Sequence, residues 1–75
     1  MEELKLRDEF IKLGQAMKAA GIVSSGIDAK MLIQDGQVTV NGEVETRRGK
    51  KLYDGDVFEF EGEEFKVCLL YTSPS

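Results

Sequence analysis

The dipeptide Asn41-Gly42, which follows Val38-Thr39-Val40 and precedes Val44, constrains the fold of this 75-residue chain more than any other feature. Both central residues of a type I′ turn have positive φ, so Asn-Gly between alternating apolar residues is the strongest short-range signal for a β-hairpin. We therefore predict a hairpin over residues 37–46, with Val38, Val40 and Val44 on the side that covers the core.

A second hairpin is expected further along the chain. Gly55 interrupts the chain before Val57–Phe60, and the segment 61–63 separates that strand from Phe65–Val67. Its candidate core residues are Phe58, Phe60, Phe65 and Val67. The alternation of residues 4–7 adds a short edge strand.

Two short helices precede the hairpins. Leu13, Ala16, Met17 and Ala20 follow the spacing of an amphipathic helix that ends at Gly21. Ser25-Gly26-Ile27-Asp28 matches a capping box, in which the Ser25 hydroxyl accepts from a backbone N–H and Asp28 reaches back. The helix that it starts runs to about Gln34, buries Ala29, Leu32 and Ile33, and stops at Gly36. The pattern predicts an α+β fold in which two short packed helices lie against a small antiparallel β-sheet of four to five strands.

Length and composition limit the class of protein. A chain of this size forms one domain, for which we expect residues 1–67, whereas residues 68–75 lack periodicity and are interpreted as a non-native or disordered tail. One cysteine and no histidine exclude an internal disulfide and a Cys/His zinc site. No apolar stretch is long enough to span a bilayer, so we expect a soluble cytoplasmic protein.

Charge is distributed unevenly along the chain. Arg47, Arg48, Lys50 and Lys51 supply four of the ten cations, and Gly49 among them allows close approach of a ligand. Residues 54–64 contain six acids and no cation, although the net charge of the whole chain is only −4. Phosphate is the natural counterpart of the basic loop, and the alternative is that its cations pair with Glu43, Glu45 or Asp54.

Other polar residues have weaker signals. Gln15 and Lys18 are neighbours on the outer face of the first helix, as are Lys30 and Gln34 on the second. Tyr53 could stack on an unpaired base, although covering the edge of the core is the favoured interpretation. No serine lies beside a credible base and there is no phosphate-cradling motif, so we expect no catalysis, cofactor or metal.

Three stretches together resemble a known family: L-G-Q-A-M-K-A-A-G (13–21), S-G-I-D-A-K-M-L-I-Q-D-G-Q-V-T-V-N-G (25–42) and R-R-G-K-K-L-Y-D-G-D (47–56). The chain resembles a stand-alone S-four-type RNA-binding domain, the module named after the fourth protein of the small ribosomal subunit. More narrowly, it is similar to the small bacterial YaaA/YbcJ-like group. The resemblance spans residues 4–67.

This resemblance implies an α-L motif, in which two helices and the adjoining β turn form one face that contacts structured RNA, often ribosomal. The RNA-binding residues that it implies by position are Lys18, Lys30, Gln34, Arg47, Arg48, Lys50 and Lys51. Many relatives have an Arg-rich second helix, whereas here Lys30 is the sole cation between Ile27 and Gln34. This departure suggests modest affinity or help from a partner such as a ribosomal protein.

The sequence therefore predicts a monomeric, non-catalytic module that docks on structured RNA, with ribosomal RNA as the expected target. The alternative is a protein-interaction adaptor that uses the acidic hairpin of residues 54–64 to bind a basic partner. Charge reversal of the two regions would distinguish these functions.

Overall fold

A computed structural model describes residues 2–69, which form seven strands and two helices. In chain order these are β1 (Glu2–Leu6), β2 (Phe10–Lys12), α1 (Leu13–Ala19), α2 (Gly26–Gln34), β3 (Val38–Val40), β4 (Glu43–Val44), β5 (Lys51–Tyr53), β6 (Val57–Phe60) and β7 (Glu63–Leu69). The predicted α+β class is confirmed. Across these residues no helix is both long enough and apolar enough to cross a bilayer.

The main sheet has five strands in the order β1-β7-β6-β3-β4. The pairs within β7-β6-β3-β4 are antiparallel, as predicted, but β1 lies parallel to β7. The sheet is therefore mixed, and the predicted antiparallel pairing holds for its neighbouring strands except β1 with β7. Parallel neighbours need a long connection, and here almost the whole domain separates β1 from β7.

Both predicted hairpins are present. Asn41 and Gly42 have φ values of 53° and 86°, the positive φ pair of a type I′ turn, and Glu61 and Gly62 repeat it at 51° and 82°. The side chain of Asn41 also has a structural role, because its Oδ1 accepts from the Val57 N–H at 3.1 Å.

The predicted orientation of Val44 in the first hairpin was wrong. It pairs with Thr39, and residues directly opposite each other in a ladder point to the same side of the sheet. Val44 therefore points away from Val38 and Val40, which are buried, and is 61% exposed.

The core lies between the helices and one face of the main sheet. Phe58 and Phe65 face each other across β6 and β7 with ring centroids 5.1 Å apart. The buried apolar residues are Leu6, Leu13, Ala16, Met17, Ala29, Ile33, Val38, Val40, Leu52, Phe58, Phe65 and Val67. Leu32 and Phe60, predicted as core, are partly buried against this cluster.

The helix boundaries follow the predicted signals closely. Ser25 caps α2, and its Oγ accepts from the Asp28 N–H at 3.3 Å. Within residues 2–69 the Asp28 carboxylate makes no return bond to Ser25, so the capping box is only half formed. Gly36, with φ of 80°, follows the C-terminal cap Asp35 of α2.

Strands β2 and β5 form a separate two-stranded antiparallel ribbon that was not predicted. Leu52 faces inward and is fully buried, and β2 runs directly into α1. Strand β7 extends to Leu69, two residues beyond the expected domain boundary, and residues 70–75 of the expected tail lie outside the described residues.

Candidate nucleic-acid interface

The basic loop is fixed by its backbone to the start of α1. Lys12, the N-cap residue, makes no side-chain capping bond. The first N–H groups of the helix are instead satisfied by the loop, because Leu13 donates to the Lys50 carbonyl at 2.8 Å and Gly14 donates to the Arg48 carbonyl at 3.1 Å. The loop therefore has a defined position relative to the helices.

Gly14 allows this close approach. A Cβ atom added at Gly14 would lie 2.7 Å from Cγ of Arg48 and 3.3 Å from its Cδ. The stem of Arg48 therefore lies directly over the first turn of α1, where any larger residue would displace it.

These contacts create a basic cleft of about 370 Å³. Its lining residues are Lys12, Gly14, Gln15, Lys18, Gly26, Arg48 and Gly49. Of the residues predicted as RNA-binding, Lys18 and Arg48 are brought together here, although they are 30 positions apart in the sequence. Three cations thus converge on one concave surface, which we call the basic cleft.

Lys12 is the cationic member of the basic cleft that sequence reasoning missed. It reaches the cleft because β2 pairs with β5, and a three-residue strand has too little alternation to be recognised. Gln15 was considered from its helical spacing, without being assigned to the site, and it lines the cleft beside Lys12.

The other predicted residues surround the basic cleft or lie away from it. Lys30 is exposed one helical turn after Gly26, on the same face of α2. Gln34 lines a different groove, with Met31, Leu32, Asp35 and Gln37. Arg47 and Lys50 are exposed in the loop.

Lys51 belongs to the ribbon rather than to the cleft. It lies opposite Lys12 in the β2–β5 ladder, and its Nζ is 4.9 Å from the centroid of the Phe10 ring. The cations of residues 47–51 are therefore divided between two neighbouring surfaces, the basic cleft and the β2–β5 ribbon.

Pairing of the loop cations with Glu43 or Glu45 is not observed within residues 2–69. Glu45 instead accepts from the backbone N–H of Arg47 at 3.0 Å, which holds the start of the loop. The charges of Arg47 and Arg48 are thus not neutralised by either glutamate.

The tip of the acidic hairpin lies at the other end of α1. Glu61 and Glu63 line a shallow cleft with Ala20, Gly21 and Ile22, which follow the C-terminus of the helix. The seven residues of α1 span about 10 Å, slightly more than the screening length of about 8 Å at physiological salt. The basic cleft is therefore largely shielded from these carboxylates. In the described part of the chain, no group of three or more Cys, Asp or Glu side chains could hold a metal ion.

The chain forms a two-helix α+β domain, and its basic loop is fixed against the first helix. It is therefore a small module with a polar, cationic face. Residues 4–68 match the family model described as the S4 domain, and the chain belongs to the S4 domain family. The family identified from the sequence motifs is thereby confirmed.

Named relatives are similar over most of their length. The chain is 46% identical over 59 residues to the probable ribosome maturation protein RlbA of Bacillus subtilis, covering 79% of this chain and 83% of RlbA. It is 39% identical over 57 residues to the putative RNA-binding protein YbcJ of Escherichia coli, covering 76% and 81%.

A solved structure has the same fold. The solution structure of Escherichia coli YbcJ, described as revealing an αL motif involved in RNA binding, superposes with a TM-score of 0.69 at 35% identity. The superposition covers 91% of this chain and 87% of YbcJ.

Proposed function

We propose that this protein is a non-catalytic RNA-binding domain that docks on structured RNA, with ribosomal RNA as its target, in the bacterial cytoplasm. The observation that carries the proposal is the convergence of Lys12, Lys18 and Arg48 in one cleft with a fixed backbone. The descriptions of YbcJ as RNA-binding and of RlbA as a ribosome maturation protein support the kind of ligand and the target.

Backbone phosphates are the groups that this cleft would bind. The planar guanidinium of Arg48 can donate two parallel hydrogen bonds to phosphate oxygens, whereas Lys12 and Lys18 act as point charges. Arg47, Lys50 and Lys30 would extend the contact around the rim of the basic cleft, whereas Gln34 would contact the RNA from its separate groove. Phosphate contacts fix position without reading sequence, so selectivity would come from the shape of the folded RNA.

The direct test is binding to structured ribosomal RNA fragments across a salt series. With four to six phosphate contacts, the log-log slope of affinity against salt should be about −3 to −5. The double substitution Lys18→Ala and Arg48→Ala should lower affinity and make the slope shallower by about 1.5, since two contacts are lost.

Lys5 and Lys66 provide a matched control for that variant. They alternate with buried residues of β1 and β7, so they lie on the face of the sheet opposite the helices. Lys5→Ala with Lys66→Ala removes the same charge and should leave the slope unchanged. Equal losses in the two variants, or binding that is insensitive to salt, would contradict the proposal.

The alternative is a protein-interaction adaptor that uses the acidic hairpin. The observation that favours it is the direct pairing of Glu59 with Glu64 across β6 and β7, a like-charge pair that a basic partner would relieve. Changing Glu59, Glu61 and Glu63 to Lys should abolish binding to a ribosomal protein under this alternative, and should not weaken RNA binding under the main proposal.

A further inference from the structure

We propose that Tyr53 stacks on an unpaired base of the RNA whose phosphates occupy the basic cleft. This inference rests on the proposed function and adds a second contact surface, which we call the aromatic ribbon: the outer face of β2 and β5, formed by Phe10, Lys12, Lys51 and Tyr53.

The Tyr53 side chain points toward solvent rather than into the core. Its neighbour Leu52 points inward and is fully buried, so the alternation of the strand directs Tyr53 outward, where it is 49% exposed. Tyr53 is not part of the buried core cluster. An exposed tyrosine ring offers a flat face that any nucleobase can stack on.

The ring is held by its partner across the ribbon. Phe10 pairs with Tyr53 in the ladder, and the two ring centroids are 5.9 Å apart with the planes inclined by 46°. The Lys51 ammonium lies over the Phe10 ring, 4.9 Å from its centroid. Because the Lys51 ammonium already lies over the Phe10 ring, Tyr53 is the ring that remains available for stacking on a base. Phe10 supports the Tyr53 ring from the neighbouring strand.

A second feature points to an anion beside Tyr53. Lys12 and Lys51 lie directly opposite each other in the ladder, an arrangement of like charges that destabilises a strand pair. A phosphate between the two ammonium groups would remove this repulsion. The nucleotide that carries this phosphate would then bring its base to the tyrosine at the far end of the same ribbon face.

The aromatic ribbon is continuous with the basic cleft. Lys12 and Gln15 line the basic cleft and also line the neighbouring groove, which contains Phe10. Asp8 and Glu9 also line that groove. Their carboxylates would repel a phosphate, so the RNA backbone should follow the lysines while an unpaired base turns toward the aromatic rings.

Tyrosine fluorescence offers a direct test. The chain has no tryptophan and two tyrosines, so a Tyr71→Phe background leaves Tyr53 as the sole source of tyrosine fluorescence. Three RNAs serve as probes: a blunt duplex, the same duplex with a short overhang of adenosines, and the same duplex with an abasic overhang. The abasic overhang has the phosphates of the adenosine overhang but lacks its bases.

We expect the adenosine overhang to quench Tyr53 fluorescence, and the blunt and abasic RNAs to leave it nearly unchanged. Tyr53→Ala should weaken binding of the adenosine-overhang RNA by about 5- to 150-fold, with much smaller effects on the other two RNAs. Tyr53→Phe should retain binding, because the stacking surface is preserved.

Two results separate failure of this inference from failure of the proposed function. Salt-dependent binding of all three RNAs with no quenching by the adenosine overhang, and with no loss in Tyr53→Ala, overturns the inference and leaves the proposed function intact. Absence of binding to any of the three and to ribosomal RNA fragments overturns both. The quenching measurement uses the intact Tyr53 ring, so it does not depend on whether Tyr53→Ala folds.

Discussion

The position of the Arg48 side chain depends on Gly14, the residue that it covers. Gly14 lies within α1, where glycine lowers helix stability by about 1 kcal/mol relative to alanine. No left-handed backbone conformation requires glycine there. Glycine is favoured at position 14 for a steric reason, because the Arg48 stem occupies the space that a Cβ would need.

Gly14→Ala should therefore lower the affinity for RNA without lowering the free energy of unfolding. We expect the free energy of unfolding to stay constant or to rise by up to about 1 kcal/mol, because alanine favours the helix. RNA affinity should fall by roughly 3- to 10-fold as Arg48 is displaced from the basic cleft. Urea unfolding and a binding titration on the same variant measure the two effects.

Gly26→Ala is the matched control for this prediction. Gly26 lines the same cleft, but a Cβ at this position would meet nothing within 4 Å. Its RNA affinity should remain close to that of the unmodified protein. If the two alanine variants bound RNA equally well, Gly14 would have no role in placing Arg48.

At the scale of elements, the β2–β5 ribbon connects the basic loop to the first helix. It pairs residues 10–12 with residues 51–53 and so brings Lys12 and Lys51 face to face. Like charges directly opposite each other in a ladder destabilise the strand pair. Under the proposed function, a phosphate between the two lysines would relieve this repulsion.

Replacement of Lys12 by Val tests this conflict. Val is a good strand residue that cannot cap the start of α1, so loss of the facing charge should raise the free energy of unfolding by about 0.2–1 kcal/mol. RNA affinity should fall, and the salt slope should become shallower by about 0.7–0.9, as expected for one lost phosphate contact. Thermal unfolding and the salt series measure the two changes.

Lys5→Val makes the same change in β1 opposite Cys68, which has no positive charge. It should show neither the gain in stability nor the loss of RNA affinity. A Lys12→Val variant that is no more stable than Lys5→Val would argue against repulsion within the ribbon.

At the scale of the whole molecule, stability depends on a small core. A single core in a chain of this size supplies only about 3–5 kcal/mol, so each large buried side chain is a substantial fraction of the total. Phe58 is fully buried at the centre of the main sheet and stacks against Phe65.

Phe58→Ala should leave the domain largely unfolded at 25 °C. Replacing a buried phenylalanine by alanine costs about 3–5 kcal/mol, which equals the expected stability of the domain. Loss of amide dispersion in a proton–nitrogen correlation spectrum would reveal the unfolding. Val44→Ala, at an exposed position in the same sheet, should preserve the native spectrum.

The local elements were set by the sequence itself. Asn41-Gly42 determines the first turn through its positive φ values, and Ser25 determines the start of α2 through its hydroxyl. The cations of residues 47–51 are also visible without a structure. Each of these features depends on residues close together in the chain, so the pattern alone was sufficient.

The tertiary structure decided how these elements meet. The parallel pairing of β1 with β7 and the ribbon of β2 and β5 depend on register between distant segments. The approach of Arg48 to Gly14 and the pairing of Lys12 with Lys51 likewise join residues more than 30 positions apart. Short strands have no periodicity that could reveal such partners, because long-range packing and backbone hydrogen bonds select them only when the chain folds.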